Sequence, residues 1–245
     1  MNLAEVKQKF NFCFFIYMRI KILGTRGKIE AKAVKHSYHS GILIDDKILI
    51  DVGEKLFLKH HPSHILFTHL HPDHAWFIES NEFFDYSGEV YSPEKSHLIK
   101  NYSIKTDPFL VEDYEITPVP TIHSMKVKSQ GYVIKHKGKK VFYSGDMVWI
   151  EKQFLPLLQN LDLVITDGSF IRKGGAIRRQ GNQIFGHNGI PDLIRFFSRF
   201  TNHILFVHFG TWFMEDVAES KKKILALQTE GLKIDAGYDG QEVEI

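Results

Sequence analysis

The segment Thr68-His69-Leu70-His71-Pro72-Asp73-His74 concentrates the residue types that hold divalent metal ions. In an extended segment, side chains two apart project to one face, so His69 and His71 can grip a single ion. The turn made by Pro72 then carries Asp73 and His74 round to a second ion nearby. Imidazole and carboxylate donors suit zinc, manganese or iron(II). Two ions about 3.5–4 Å apart can share a water, lower its pKa and aim a hydroxide at phosphorus or carbonyl carbon. Such a centre needs several neutral imidazoles close together, because each donates a lone pair without adding negative charge. The chain supplies fourteen histidines and a single cysteine, Cys13, which excludes an intrachain disulfide and a zinc site built on several thiolates.

Elements able to position these residues follow from the hydrophobic pattern. A short strand runs from Ile20 to Leu23, and a basic loop from Lys28 to Ser40 follows it. Gly41-Ile42-Leu43-Ile44 and Lys47-Ile48-Leu49-Ile50 flank Asp45-Asp46 and read as a hairpin with an acidic turn. Glu54 to His60 reads as a short helix, and Ile65-Leu66-Phe67 as a brief buried strand running into Thr68-His69. Pro72 to Glu79 is helical in composition, with proline at a tolerated early position. Hairpins are expected around Phe109 to Val119 and around Tyr132 to Tyr143, the latter turning at Lys137-Gly138-Lys139. Further strands are expected at Leu161 to Thr166, Ile204 to Val207, and near Ile234 and Val243. Helices are expected at Pro191 to Phe200 and Glu215 to Leu227. Strands in pairs, each set followed by helices, predict an α/β fold arranged as a four-layer αββα sandwich. The chemistry then sits at strand ends and loops.

The segment resembles the His-x-His-x-Asp-His signature of the metallo-β-lactamase superfamily, and the rest of the chain keeps step with that family. Pro120-Thr121-Ile122-His123-Ser124 offers the next histidine, Tyr143-Ser144-Gly145-Asp146 the bridging aspartate, and Phe206-Val207-His208 the last histidine. The resemblance implies that His69, His71 and His123 hold a first metal and that Asp73, His74 and His208 hold a second. Asp146 would bridge the two ions, which are expected to be Zn2+, with Mn2+ or Fe2+ accepted by the same donors. Asp51 would support the metal-site loops through hydrogen bonds without touching metal. His36, His39, His60, His61, His64, His97, His136 and His203 have no such support and read as surface or packing residues.

The stretch from Asp167 to Asn188 bears on substrate class. Arg172, Lys173, Arg178 and Arg179 are interleaved with glycines and read as a flexible basic loop, the plain alternative being a solvated one. Arginine forks match phosphate oxygens, so Arg172, Arg178 and Arg179 are candidate substrate contacts. His187 resembles the extra active-site histidine of the phosphodiesterase branch of the family, which includes tRNase Z and the cyclic phosphodiesterase of carbon–phosphorus lyase pathways. Its plain alternative is a neighbour of a helix cap before Pro191. His187 and Asp73 are the candidate catalytic residues. The chain departs from its relatives in having no long tRNA-holding arm, no cysteine-rich extra zinc site and no inserted second domain. The expected activity is hydrolysis of a small-molecule, nucleotide or single-stranded phosphodiester by a metal-bound hydroxide. A thioester, ester or lactone hydrolase is the alternative enzyme, and a non-catalytic metal-holding domain the alternative outside enzymes.

Bulk properties leave these readings open. Hydrophobic residues make up 43% and charged residues 24% of the 245, so a packed core is expected. A net charge of +2 does not by itself imply nucleic-acid binding. The apolar stretch Phe10 to Met18 is far shorter than the roughly 20 residues of a spanning helix, and it has no Ala-x-Ala cleavage pattern. Residues 1–17 are therefore read as an extension that precedes a single hydrolase domain over residues 18–245. A cytoplasmic protein is expected, without membrane association, and the extension offers a surface for a second subunit in a homodimer.

Overall fold

The computed structural model describes residues 17–245, so the expectations for the N-terminal extension lie almost wholly outside the described residues. In chain order the first strands are β1 (Arg19–Gly24), β2 (Gly41–Ile44), β3 (Ile48–Ile50), β4 (His64–Leu66) and β5 (Glu89–Tyr91). Then come β6 (Phe109–Val111), β7 (Tyr114–Pro120), β8 (Gln130–His136), β9 (Lys139–Tyr143) and β10 (Leu163–Asp167). The last are β11 (Ala176–Gln180), β12 (Gln183–His187), β13 (His203–Val207), β14 (Lys233–Ala236) and β15 (Glu242–Glu244). The α-helices are α1 (Phe77–Ser80), α2 (Ile190–Phe197), α3 (Thr211–Glu215) and α4 (Val217–Leu225), with 3₁₀ segments at Lys55–His60 and Lys152–Leu158.

Two sheets carry the fold. One runs in the order β15-β1-β2-β3-β4-β5, the other β14-β13-β10-β9-β8-β7-β6, and β11 and β12 form a separate two-stranded ribbon. Strand residues alternate between layers, as the period-2 pleat requires. Ile42, Ile44, Ile48 and Ile50 meet Ile134, Val141, Leu163 and Ile165 between the sheets. Their neighbours Leu43, Leu49, Ile65 and Phe67 pack outward with Phe57 and Phe77, beneath α1 and the first 3₁₀ segment. On the far side Val164, Ile204 and Phe206 pack against Leu193, Phe197 and Ile224 of α2 and α4. The result is the four-layer sandwich, with both faces of each sheet covered. Such strands read as continuous apolar runs rather than alternating ones.

Turn chemistry sets the hairpins. Asp45 and Asp46 both take left-handed conformations, at φ 48° and 58°, between β2 and β3. Lys137 and Gly138 do the same between β8 and β9, at φ 47° and 82°. Two consecutive residues of that kind form the turn whose twist matches the flanking strands.

Three local expectations change. The helix read from Glu215 to Leu227 is two helices, because Asp216 leaves the helical region and its side chain caps α4 by accepting from Glu219 N at 3.0 Å. The helical stretch after Pro72 is a run of turns whose only α-helical residues are those of α1. The basic loop around Arg178 and Arg179 is the β11–β12 ribbon.

β3, β4 and β5 run parallel, as do β9, β10, β13 and β14. Asp51 follows β3, Thr68-His69 lies just beyond β4, Asp146 follows β9, Asp167 ends β10 and His208 follows β13. Candidate ligands from both sheets therefore meet at the C-terminal ends of parallel strands, where open α/β sheets form their crevice.

Candidate metal centre

His69, His71, His123 and Asp146 each bring one ligand atom into a common group within 4.8 Å, and so do Asp73, His74, Asp146 and His208. In the first group His69 Nε2 and His123 Nε2 each lie 3.1 Å from His71 Nδ1. Asp146 Oδ2 stands 3.7 Å from His69 Nε2 and 3.6 Å from His123 Nε2. Its other oxygen, Oδ1, faces the second group, 3.1 Å from His74 Nε2 and 3.2 Å from His208 Nε2. Asp73 Oδ2 completes that group 2.9 Å from His208 Nε2. Asp146 thus presents one oxygen to each group, and Oδ1 is buried without a hydrogen-bond partner among the described residues. Converging imidazole nitrogens around an orphaned carboxylate oxygen fit divalent cations, which are the natural partners of such lone pairs.

The rear nitrogen is held in four of the five rings. His74 Nδ1 donates to Asp51 Oδ2 at 2.7 Å, and Thr68 N and Oγ1 both donate to the same carboxylate. His69 Nδ1 meets Thr68 Oγ1 at 3.1 Å, and His208 Nδ1 meets Ser169 Oγ at 2.9 Å. His123 Nδ1 donates to Gly186 O at 2.9 Å while Gly186 N donates to His123 O at 2.7 Å, so the ribbon clamps this histidine on both sides. Partners of this kind fix tautomer and ring orientation. Gly145, before Asp146, is required for close approach: at φ +58° a Cβ would lie 2.8 Å from Thr68 Oγ1.

Charge in the two groups is arranged differently. Burial, with the surrounding imidazoles, pushes His69 well below its ordinary pKa. Burial and His123 push His71 down to about 4, so both rings are neutral donors at pH 7. Burial opposes charge on His74 as well, but Asp146 and Asp51 outweigh it and raise the ring to about 10. Asp146 in turn is held below the usual carboxylate range, since His208, His74 and His187 outweigh its burial. The two rings whose pKa values are raised, His74 and His208, would have to give up a proton to hold a divalent ion.

A cavity of about 610 Å³ opens onto both groups, walled by Ile29, Phe170 and Trp212 and carrying Lys28 and Lys126. His187 lines it too, half-buried, with Nδ1 donating to Asp167 Oδ2 at 2.7 Å. Asp167 also accepts from Ser169 N at 2.9 Å and Ser169 Oγ at 2.6 Å. Its charge, with that of Asp146, outweighs burial and raises the His187 pKa. The structure thus brings the seven candidate ligands, Asp51 and His187 together. Arg172, Arg178 and Arg179 do not line this cavity. The Arg172 guanidinium donates to Gly175 O at 2.9 Å and lies over the Phe170 ring, just outside it. Ribbon register puts Arg178 opposite Phe185 and Ala176 opposite His187, so these four share one face, whereas Arg179 and Ile184 share the other. None of the eight remaining histidines joins either ligand group.

Asp167, Ser169, Lys28 and Lys126 had no role in the sequence reading. Asp167 had a signal: Leu163-Val164-Ile165-Thr166-Asp167 is an apolar strand closed by aspartate, as is Ile48-Leu49-Ile50-Asp51.

Comparison with known proteins bears on the fold and the family. The family described as the β-lactamase superfamily domain matches residues 52–209. No curated protein sequence matches the chain. Among solved structures, the metallo-β-lactamase fold protein YhfI from Bacillus subtilis is 18% identical with a TM-score of 0.68, covering 94% of this chain and 99% of its own. A diphosphatase from the PhnP family is 15% identical with a TM-score of 0.68, covering 94% and 98%. The short form of human tRNase Z is 15% identical with a TM-score of 0.61, covering 92% and 98%. At these identities the likeness is one of fold. With the matched segment spanning Asp51's neighbour Val52 through His208, the chain belongs to the metallo-β-lactamase superfamily.

Proposed function

We propose that the protein is a dinuclear-metal phosphodiesterase acting on a small or single-stranded phosphodiester. His69, His71 and His123 would hold one ion, Asp73, His74 and His208 the other, and Asp146 would bridge them. Zinc suits this donor set best, with manganese and iron(II) acceptable. Bound ions would supply Lewis acidity and a water of lowered pKa. Asp73 also lines the cavity, where its carboxylate would orient the attacking water.

His187 carries the assignment to phosphodiesters. Asp167 occupies its Nδ1 and favours its charged form, and Nε2 has no partner among the described residues. That leaves an N–H in the cavity to protonate the departing oxygen of a phosphodiester. Lys28 and Lys126 at the same cavity, and Arg172 beside it, supply positive charge for the phosphate oxygens. A cytoplasmic setting suits a chain with the single cysteine Cys13. Among the described residues no helix is long and apolar enough to cross a membrane.

The test is His187→Ala assayed on bis(p-nitrophenyl) phosphate. Turnover falls a hundredfold or more, on the order of a lost general acid, while metal content is unchanged. Unaltered turnover removes His187 from the reaction. The apolar wall of Ile29, Phe170 and Trp212 favours acyl substrates as the second reading, and a panel of thioesters, esters and lactones separates the two.

A further inference from the structure

A second cavity, of about 500 Å³, lies on the opposite face of the β11–β12 ribbon from His187. Trp149 and Phe196 form its aromatic wall, with ring centroids 4.7 Å apart, and Trp149 keeps 39% of its surface exposed. Arg179, Arg195 and Arg199 line it against one carboxylate, Asp192. That carboxylate is already engaged, accepting from Gly174 N at 2.6 Å and pairing with Arg195 at 3.4 Å. Arg195 belongs to the last turn of α2 and Arg199 to the turn just beyond its C-cap Ser198, and both line the groove. The Arg199 guanidinium lies 4.9 Å from the ring centroids of both Phe196 and Phe200, which places a planar cation beside the aromatic wall.

The groove is built from the same segments as the metal centre. Trp149 follows Asp146 by three residues, and its carbonyl accepts from Ile122 N at 2.8 Å, directly before His123. Asn188, also in the lining, follows His187 and donates through Nδ2 to Val148 O at 3.1 Å. An exposed indole face beside guanidiniums in excess over carboxylate is the chemistry that takes a nucleobase and its backbone phosphate.

We infer that this groove is a subsite for single-stranded nucleic acid, with an unpaired base stacked on Trp149 and the adjoining phosphate held by Arg195 and Arg199. The inference rests on the phosphodiesterase assignment for its link to catalysis, and it names the substrate as a strand that extends from the metal centre past the ribbon.

The experiment measures binding of a fluorescein-labelled oligouridylate to the metal-loaded full chain by anisotropy, with strand integrity checked on a gel. Turnover of bis(p-nitrophenyl) phosphate is followed in parallel for wild type, Trp149→Leu and the double variant Arg195→Glu/Arg199→Glu. Oligouridylate affinity falls about tenfold or more in each variant, and the double variant shows a shallower dependence on salt. Turnover of the small ester stays at the wild-type level. The two arginines are exposed, so the double variant reports even if Trp149→Leu weakens packing on Phe196. Variant affinities within twofold of wild type overturn the subsite, as does no binding by wild type or equal binding of a duplex of the same length. If wild type hydrolyses no phosphodiester yet its binding responds to the variants, the catalytic assignment fails and the groove stands.

Discussion

His187 Nδ1 donates to Asp167 Oδ2 across 2.7 Å, at the point where β10 ends and the ribbon returns to the metal centre. His74 Nδ1 makes the matching bond to Asp51 Oδ2, also at 2.7 Å. Each sheet therefore ends an apolar strand in an aspartate that aims an imidazole into the same crevice. One ring points at a ligand group and the other at the open cavity.

On the proposed function, the consequence for His187 is catalytic. Asp167→Asn keeps the acceptor for Ser169 but removes the charge that favours the imidazolium. Turnover of a phosphodiester falls about tenfold to a hundredfold, the scale of a weakened general acid. Steady-state kinetics place the loss in kcat, and elemental analysis finds the metals still bound. A variant as fast as wild type contradicts the dyad.

For His74 the consequence is metal affinity. Asp51→Asn leaves a bond to Thr68 but no longer stabilises the ring as a basic ligand. Affinity falls roughly 10–100-fold, as for other outer partners of metal-binding histidines. Competition with a chelator measures the change, and equal retention of metal by wild type and variant contradicts it. Asparagine tolerates the left-handed φ of 62° found at this position, so backbone strain does not confound the comparison.

Gly145→Ala tests the close packing behind the bridging aspartate. The added Cβ would sit 2.8 Å from Thr68 Oγ1 on a backbone at φ +58°. Destabilisation of about 1–3 kcal/mol is expected from the left-handed residue and the contact together. Thermal melting reads it directly, and an unchanged melting temperature shows that the turn relaxes freely.

Away from the metal centre, His36 makes stability depend on pH. Its Nδ1 meets Thr25 Oγ1 at 2.9 Å, its Nε2 is buried without a partner among the described residues, and Phe209 and Phe213 stand edge-on to the ring. Burial, aided by Lys221, lowers the ring to about 4 from 6.5. Between those values the unfolded chain binds a proton that the folded chain does not. Stability therefore falls as pH drops from 6.5 toward 4, by about 3 kcal/mol for the shift. Urea unfolding at pH 7 and pH 5 shows a smaller drop for His36→Leu than for wild type. Equal drops contradict the assignment.

The candidate ligands were legible in the sequence through the family resemblance, whose motifs fall at strand ends in order: His69 and His71 after β4, Asp146 after β9, His208 after β13. The sandwich was legible because strands covered on both faces read as unbroken apolar runs. The ribbon was not. Its two strands bury little, so no hydrophobic pattern marks them, and Gly174, Gly175 and Gly181 read as punctuation of a loop. Without its register, Arg178 and Arg179 are indistinguishable, although they face opposite sides. Lys28 and Lys126 reach the cavity from distant segments, and a single exposed lysine carries no pattern. The break at Asp216 did carry one, since Asp216-Val217-Ala218-Glu219 has the spacing of a helix start.

The central claim is a dinuclear centre bridged by Asp146. Its most direct test is elemental analysis beside a phosphodiesterase assay on wild type and Asp146→Ala under metal-replete conditions. Near two metals per wild-type chain, with metal and turnover lost together in the variant, is the predicted result. No bound metal in wild type, or turnover indifferent to Asp146, contradicts it.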